Sequence, residues 1–149
     1  MSTFDLSKPI AIGADHAGFE YKRDLIEWLQ QKGFEVNDKG TYSVSSVDYP
    51  DYAHPVADMV ERGEAAFGIL MCGSSNGVCM TANKHQGIRA GLAWQTDVAR
   101  LIRQHNDANI ICMPARFVAF EQVKLMVEAF IETAFEGGRH QKRVEKISC

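Results

Sequence analysis

The chain has 149 residues, of which 46% are hydrophobic and 23% charged, and its formal net charge is -3. This composition is typical of a globular protein, and the length predicts one domain over 1–149. A slightly acidic chain gives no reason to expect a nucleic acid as partner, and its longest apolar runs are too short to cross a membrane. Because the amino terminus lacks the basic and apolar parts of a secretory signal, we expect a cytoplasmic protein.

The first half of the chain predicts two strands and two helices. An apolar run at 9–14 predicts the first strand, and apolar residues at spacings of three and four then predict a helix that ends at Lys32. Residues 34–38 predict a second strand. The segment 39–51 is rich in turn formers and has no sustained period, so it predicts a long loop, and 54–63 predicts the second helix.

The second half repeats this alternation. A continuous apolar run at 67–72 predicts a buried strand, and the glycine-bearing loop after it leads into a helix that ends near His85. The elements that follow are a strand at 88–93, a helix that begins at Thr96 or Asp97, a strand at 109–113, a helix at about 119–135 and a basic segment with helical propensity from Arg139.

Strands that alternate with helices imply a parallel sheet covered by helices on both faces. Right-handed crossovers then give an α/β fold, a Rossmann-like three-layer α/β/α sandwich with a five-stranded parallel sheet. In such sheets, ligands bind outside the carboxyl ends of the strands. Candidate chemistry is therefore expected where each predicted strand ends.

The loop after the third predicted strand is the first candidate site. Backbone N–H groups near Gly73, Ser74 and Gly77 can point at one spot, which suits a phosphate or a developing oxyanion. A plain tight turn is the alternative, since the loop matches neither common nucleotide-binding glycine motif. Cys72 is a candidate nucleophile, which would need a histidine partner, or a general base, which needs only a carbon acid held close by. The four cysteines of the chain show no zinc-binding spacing.

Asp15 and His16 are candidates for the same crevice, and His105 is a further candidate for chemistry. Asp15 and His16 follow the first strand, which neighbours the third strand in this architecture, although a turn and helix cap would also explain them. His105 lies on the apolar face of its helix, where a packed core residue or an interface residue is equally reasonable. Their positions alone therefore leave both readings open.

Arg139 and Arg143 form a candidate anion clamp. They are four residues apart in a segment with helical propensity, so both guanidinium groups can lie on one face, with His140 adjacent. A solvated basic tail is the alternative. The residues by themselves indicate a small anionic substrate and acid–base chemistry.

At this point the chain resembles a known family, the type B ribose-5-phosphate isomerases, whose wider group includes galactose-6-phosphate isomerase subunits. The resemblance runs along essentially the whole chain in the right order. It is carried by Asp15-His16-Ala17-Gly18-Phe19, Asp38-Lys39-Gly40-Thr41, Asp48-Tyr49-Pro50, Cys72-Gly73, Ala82-Asn83-Lys84, Gly87-Ile88-Arg89-Ala90, His105-Asn106-Asp107 and Glu136-Gly137-Gly138-Arg139-His140.

The resemblance implies an aldose–ketose isomerase that interconverts ribose 5-phosphate and ribulose 5-phosphate, without a metal or organic cofactor. It implies Cys72 as the base that carries a proton between C2 and C1 through a cis-enediolate, Ser74 with the loop N–H groups as the anion hole, and His105 as the ring-opening residue, with Asp15 near the sugar. The implied substrate- and phosphate-binding residues are His16, Tyr49, Gly73, Ser75, Gly77, Asn106, Arg116, Arg139, His140 and Arg143.

The resemblance also implies an assembly. The active unit of the family is a homodimer, often paired into tetramers, and its active sites lie at the subunit interface. His105 is implied to reach the site from the neighbouring subunit, and Arg116 to join His16 and the two arginines from the partner chain. The implied partners are therefore a sugar phosphate and a second copy of the chain, with no nucleic acid and no membrane.

The loop departs from the family pattern at Ser74, Ser75 and Asn76, and the departure at Ser75 matters most for its shape. The family commonly has C-G-T-G-[IV]-G, whereas this chain has Cys72-Gly73-Ser74-Ser75-Asn76-Gly77. A serine in place of the second glycine costs about 1 kcal/mol or more if that position has a positive φ. A reshaped loop leaves two alternatives open: an isomerase of a six-carbon phosphosugar such as allose or galactose 6-phosphate, or a phosphosugar-binding protein without catalysis.

Overall fold

A computed structural model describes residues 4–149 of the chain, and this part contains five strands and six helices. No helix in it is long and apolar enough to span a bilayer. The strands are β1 (Ile10–Ala14), β2 (Val36–Asp38), β3 (Gly68–Cys72), β4 (Ala90–Leu92) and β5 (Ile110–Pro114). The helices are α1 (Phe19–Gln31), α2 (Pro50–Glu61), α3 (Asn76–Ala82), α4 (Thr96–Gln104), α5 (Phe120–Glu132) and α6 (Arg139–Glu145).

The strands form one sheet in the order β2-β1-β3-β5-β4, and every neighbouring pair is parallel. The predicted three-layer α/β sandwich with a five-stranded parallel sheet is confirmed. The strand order reverses direction between β1 and β3, where Ala14 is in register with Met71. A reversal of this kind opens a crevice outside the carboxyl ends of the two strands, so the topology places a site after Ala14 and after Cys72.

Alternate strand residues build two hydrophobic layers, one on each face of the sheet. On β3, Ile69 and Met71 join the layer that contains residues of α1, α4 and α5, whereas Leu70 and Cys72 join the layer that contains residues of α2 and α3. Continuous apolar runs are typical of strands buried on both faces. The alternation explains why Cys72 points toward α2 and α3.

The start of α2 differs from the prediction, whereas the carboxyl-terminal segment agrees with it. Helix α2 begins at Pro50 rather than at residue 54, because proline fits the first turn of a helix, where its missing N–H would have no intrahelical partner. The predicted long loop is shortened accordingly. The basic carboxyl-terminal segment is helical from Arg139 to Glu145, so Arg139 and Arg143 are separated by one turn.

A buried ion pair joins α1 to the end of β2. The Lys22 side chain is 1% exposed, and its Nζ lies 2.7 and 2.8 Å from the two carboxylate oxygens of Asp38. Asp38 also accepts a hydrogen bond from the Gly40 N–H at 2.8 Å. Because removal of one partner would leave the other charge buried and unpaired, this contact fixes the start of the loop that leads to α2.

Candidate active site

Cys72 is the last residue of β3 and is in register with Pro114 of β5. The residue is 6% exposed. Its N–H donates to the Ser75 hydroxyl at 3.0 Å, and its carbonyl accepts from the Ala115 N–H at 3.0 Å. These bonds hold the thiol at the carboxyl edge of the sheet, where the loop to α3 begins.

Ser75 has φ +60° and ψ +8°, a left-handed conformation that L-residues other than glycine adopt at a cost. Its side chain is completely buried, and its hydroxyl donates to the Met113 carbonyl while accepting from the Cys72 N–H. The prediction that Ser75 binds substrate is therefore corrected for its hydroxyl, which is turned into the protein. The two hydrogen bonds offset the backbone cost that a serine has at this position.

We expect Ser75→Ala to be more destabilising than Ser75→Gly. Alanine keeps the positive φ penalty and leaves the Cys72 N–H and the Met113 carbonyl without the hydroxyl, a loss of about 1–3 kcal/mol. Glycine makes the same loss but adopts the left-handed conformation readily, so about 1 kcal/mol is recovered. Urea unfolding of the two variants measures this order, and the reverse order would contradict a left-handed Ser75.

Asp15 lies next to the end of β3, whereas the expectation that both Asp15 and His16 face the crevice at Cys72 stays a prediction. The Asp15 N–H donates to the Met71 carbonyl at 3.3 Å, which ties the end of β1 to the residue before Cys72. The Asp15 carboxylate accepts from the Ala17 and Gly18 N–H groups at 2.9 and 3.2 Å, so it also shapes the turn into α1.

The His16 ring has a defined tautomer. Its Nδ1 accepts a hydrogen bond from the Val47 N–H at 3.2 Å, so the ring proton of neutral His16 is on Nε2. The same bond anchors the loop before α2 to the turn after β1. A histidine held in this way presents a hydrogen-bond donor with a fixed direction, which is suited to an anion.

A cavity of about 490 Å³ adjoins these residues, and its lining includes Asp15, Asp48 and Tyr49. The Tyr49 ring packs directly on Gly77 at the start of α3, so closely that a side chain at Gly77 would collide with it. The Ser74 hydroxyl accepts from the Asn76 N–H at 3.3 Å. The turn after β1 and the start of α2 therefore meet at this cavity, and Tyr49 links it to the start of α3.

Arg116 belongs to the same group within one chain. Its N–H donates to the Gly73 carbonyl at 3.1 Å, and its guanidinium lies so close to Gly73 that a Cβ there would be 3.2 Å from Nη1. Arg116 therefore reaches the Cys72 loop of its own chain, and the implied grouping, in which Arg116 joins His16 and the two arginines from the partner chain, stays a prediction. Its position follows from the pairing of β3 with β5.

The remaining candidates form a second cluster. The rings of His105 and His140 are stacked, with centroids 4.2 Å apart and planes 12° from parallel. They line a cavity of about 280 Å³ with Asn106 and Arg143. Arg139 is exposed and precedes His140 on α6. We name this group the histidine cluster, and it contains His105, Asn106, Arg139, His140 and Arg143.

Within one chain the histidine cluster and Cys72 lie at opposite edges of the sheet. His105 follows the end of α4, which leads into the amino end of β5, whereas Cys72 is paired with Pro114 at the carboxyl end of β5. Five strand residues at about 3.3 Å each separate these edges by roughly 15 Å. The structure therefore places Asp15 and Arg116 against the neighbours of Cys72 and Tyr49 against the start of α3, and it leaves the histidine cluster apart from Cys72.

The histidine cluster also has the composition of a metal site, because the ligand atoms of His105, Glu136 and His140 lie within 4.8 Å of one another. Imidazole lone pairs lie in the plane of the ring, and the planes of His105 and His140 are nearly parallel. Two stacked rings cannot direct their lone pairs at one ion about 2 Å away. This arrangement fits an anion site better than a cation site.

The pKa of His140 lies below its ordinary value of 6.5, chiefly because burial disfavours the charged ring and also because His105, Arg139 and Arg143 are close; Glu136 acts in the opposite direction. Between this lowered pKa and about 6.5, the unfolded chain binds more protons than the folded one. We therefore expect the free energy of unfolding to fall as the pH drops below about 6.5.

Urea midpoints at pH 7.5 and pH 5 for the wild type and His140→Gln measure this effect. The wild type is expected to lose more stability on acidification than the variant, because glutamine does not titrate. An equal loss in both proteins would contradict a neutral His140.

Some contributors were not predicted from the sequence. Asp48 lines the cavity with Tyr49, and the Asp48-Tyr49-Pro50 motif could have indicated Asp48 as a site residue. Glu136 lies 3.5 Å from the His140 Nε2, a contact that the spacing of four residues could have indicated. The contact of Val47 with His16 is made by the backbone N–H, so the residue type of Val47 could not have indicated it.

The fold and the crevice at β1 and β3 define the class of this protein, an α/β protein with a polar site at the point where the strand order reverses. A family model described as Ribose/Galactose Isomerase matches residues 10–147. The chain belongs to this family and is an isomerase, and the resemblance read from the sequence motifs is confirmed.

Relatives and solved structures agree with this assignment. The chain is 46% identical over 142 residues to ribose-5-phosphate isomerase B of Escherichia coli (strain K12), covering 95% of each protein. It superposes on a ribose 5-phosphate isomerase from Thermotoga maritima with a TM-score of 0.93 and 48% identity, covering 95% of this chain and 97% of that one. A ribose-5-phosphate isomerase B from Mycoplasma genitalium with bound ribulose-5-phosphate gives a TM-score of 0.90 at 43% identity, covering 95% of each chain.

Proposed function

We propose that this protein interconverts ribose 5-phosphate and ribulose 5-phosphate by moving a proton between C2 and C1 of the open-chain sugar. The observation that supports this proposal best is the position of Cys72, which ends β3 directly after Met71, the residue bonded to the Asp15 turn, while Asp15 itself lines the cavity at Tyr49. The relatives named above act on the same pair of sugars by their names.

In the proposed reaction, Cys72 is the general base. Its thiolate removes the proton from C2 of the aldose, which leaves a cis-enediolate, and the thiol then returns a proton to C1 to give the ketose. Ser74 and the N–H groups of Gly73 and Ser75 are proposed to stabilise the oxyanion of the intermediate. The Ser75 hydroxyl takes no part, because it is bonded inside the loop.

Charged groups beside Cys72 support binding of a phosphosugar. His16 has its donor nitrogen fixed by the Val47 contact, and Arg116 lies against Gly73. We propose that both contact the substrate together with Tyr49. Binding energy gained at the phosphate, remote from the reacting carbons, then holds C2 within reach of the thiol.

A second copy of the chain is required to complete the proposed site. His105 is proposed to open the furanose ring, and Arg139 and Arg143 to bind the phosphate, but all three lie at the opposite edge of the sheet from Cys72 in one chain. In a dimer that places the histidine cluster of one subunit against the Cys72 loop of the other, each interface contains a complete site. Because a two-fold axis relates such contacts, a dimer contains two sites.

Isotope exchange tests the proposed reaction directly. Incubation with ribose 5-phosphate in D₂O should introduce deuterium at C1 of the ribulose 5-phosphate formed and at C2 of the recovered aldose. A protein that only binds phosphosugars would introduce none. NMR of the sugars after enzyme removal gives both positions in one experiment.

Kinetic comparison tests the choice of sugar. The Ser75 side chain is buried and adds no bulk to the cavity, so the loop departure gives no reason to expect an altered sugar preference. We therefore expect kcat/KM for ribose 5-phosphate to exceed the values for allose 6-phosphate and galactose 6-phosphate. A higher value for either hexose phosphate would overturn the pentose assignment.

A further inference from the structure

Outside the proposed active site, two histidines from different elements face each other. His54 lies on α2, and His85 lies in the segment between α3 and β4. The His54 Nδ1 and the His85 Nε2 are 2.8 Å apart, which is a hydrogen bond that needs one proton between two nitrogens. The ring planes cross at 52°. The short N···N distance shows that these two nitrogens face each other.

Two carboxylates on α2 lie within ion-pair distance of His85. The other ring nitrogen, Nδ1, lies 3.4 Å from Asp58 Oδ1 and 3.7 Å from Glu61 Oε1. Glu61 is itself held by a hydrogen bond from the Gly87 N–H. A ring whose Nδ1–H is directed at carboxylates keeps its Nε2 lone pair available, which is the arrangement found around metal-binding histidines.

We propose that His54 and His85 bind a divalent transition-metal ion of the zinc and nickel class, in the place of the proton that they now share. Metal–nitrogen bonds of about 2.0–2.1 Å at a tetrahedral angle require the nitrogens to be roughly 3.3 Å apart. An opening of about half an ångström suffices, and His54 is on the exposed surface, where its ring can turn. Water completes the coordination, and Asp58 and Glu61 support His85 from the second shell of the ion.

The orientation of the two rings distinguishes this pair from the pair of His105 and His140. The rings of His105 and His140 are nearly parallel and cannot converge on one ion, whereas those of His54 and His85 can. The site would also join two elements, because one ligand lies on α2 and the other follows α3. An ion that binds only the folded chain stabilises it by mass action.

Nickel titration of protein without a histidine tag tests the proposal, with calorimetry for affinity and thermal unfolding for stability. We expect one ion per chain and, at a free nickel concentration about 100 times Kd, a rise in Tm of roughly 8 °C. His54→Ala and His85→Ala should each abolish the binding and the rise in Tm. Asp58→Asn should weaken the affinity by about 10- to 100-fold through its effect on His85.

Glu64→Gln is the matched control, since it removes one exposed carboxylate that pairs with Arg62 and does not contact the histidines. Its nickel affinity should equal that of the wild type. Nickel binding that persists in His85→Ala, or no binding to the wild type, would overturn the proposal. A thiolate charge-transfer band with Co²⁺ would also overturn it, because it would place the ion on a cysteine.

Discussion

Replacement of Cys72 by alanine is expected to remove isomerisation of ribose 5-phosphate while the sugar phosphate still binds. The methyl group cannot take the proton from C2, and general base catalysis contributes about 10²- to 10⁴-fold to a rate. Because the proposed phosphate contacts lie on other residues, the dissociation constant should change little. Turnover and deuterium exchange measure the first effect, and calorimetric titration measures the second.

Cys79→Ala provides the control for this experiment. Cys79 is also a thiol near the sheet, and its hydrogen bond with Cys112 lowers its pKa, so it is the competing candidate for a reactive sulfur. Burial raises the pKa of Cys112 well above its ordinary value. The Cys79 variant should keep near-normal activity. Normal turnover in Cys72→Ala would show that the base is another group.

Mixing two inactive variants is expected to restore activity. Cys72→Ala lacks the base and His105→Ala lacks the ring-opening group, but a mixed dimer of the two has one interface with both groups intact. Random exchange of subunits gives about half mixed dimers, each with one of two sites intact, so about a quarter of wild-type activity should return. Assays with cyclic ribose 5-phosphate before and after subunit exchange measure the recovery.

The control is a mixture of wild type with the double variant Cys72→Ala, His105→Ala. A mixed dimer of these two proteins contains no complete site, so subunit exchange should not raise the activity. Each interface of such a dimer lacks one of the two groups. No recovery from the two single variants, with exchange of subunits verified by mass, would place both groups in the same chain's site and contradict the shared arrangement.

The sheet and its helices could be predicted because each strand has an apolar run and each crossover has a helical period. The start of α2 was missed, since the turn formers around Pro50 conceal a proline that opens a helix. A left-handed conformation at Ser75 was considered in advance, because the family commonly has glycine at this position. The hydrogen bonds of the Ser75 hydroxyl were not predicted. Those contacts reach Met113 of β5, so they depend on the folded sheet.

The candidate site was predictable in part for the same reason. Residues that directly follow β1 and β3 meet because neighbouring parallel strands end at one edge, and Asp15 and Cys72 are therefore found together. The separation of His105 and the arginines from Cys72 is a property of the topology rather than of any motif. His54 and His85 lie 31 residues apart and belong to no shared pattern, so their pairing could not be predicted from residue types or spacing.

Because the ammonium group of Lys22 is buried, its chemical labelling can measure local unfolding of the protein. An acylating reagent reacts with amines that water can reach, and this amine is held by both oxygens of Asp38 with 1% of its side chain accessible. Its labelling should lag behind that of lysines such as Lys8, whose side chain is 43% accessible. The difference in labelling rate measures how often the ion pair between α1 and the end of β2 opens. This ion pair lies at the start of the loop that leads to Tyr49.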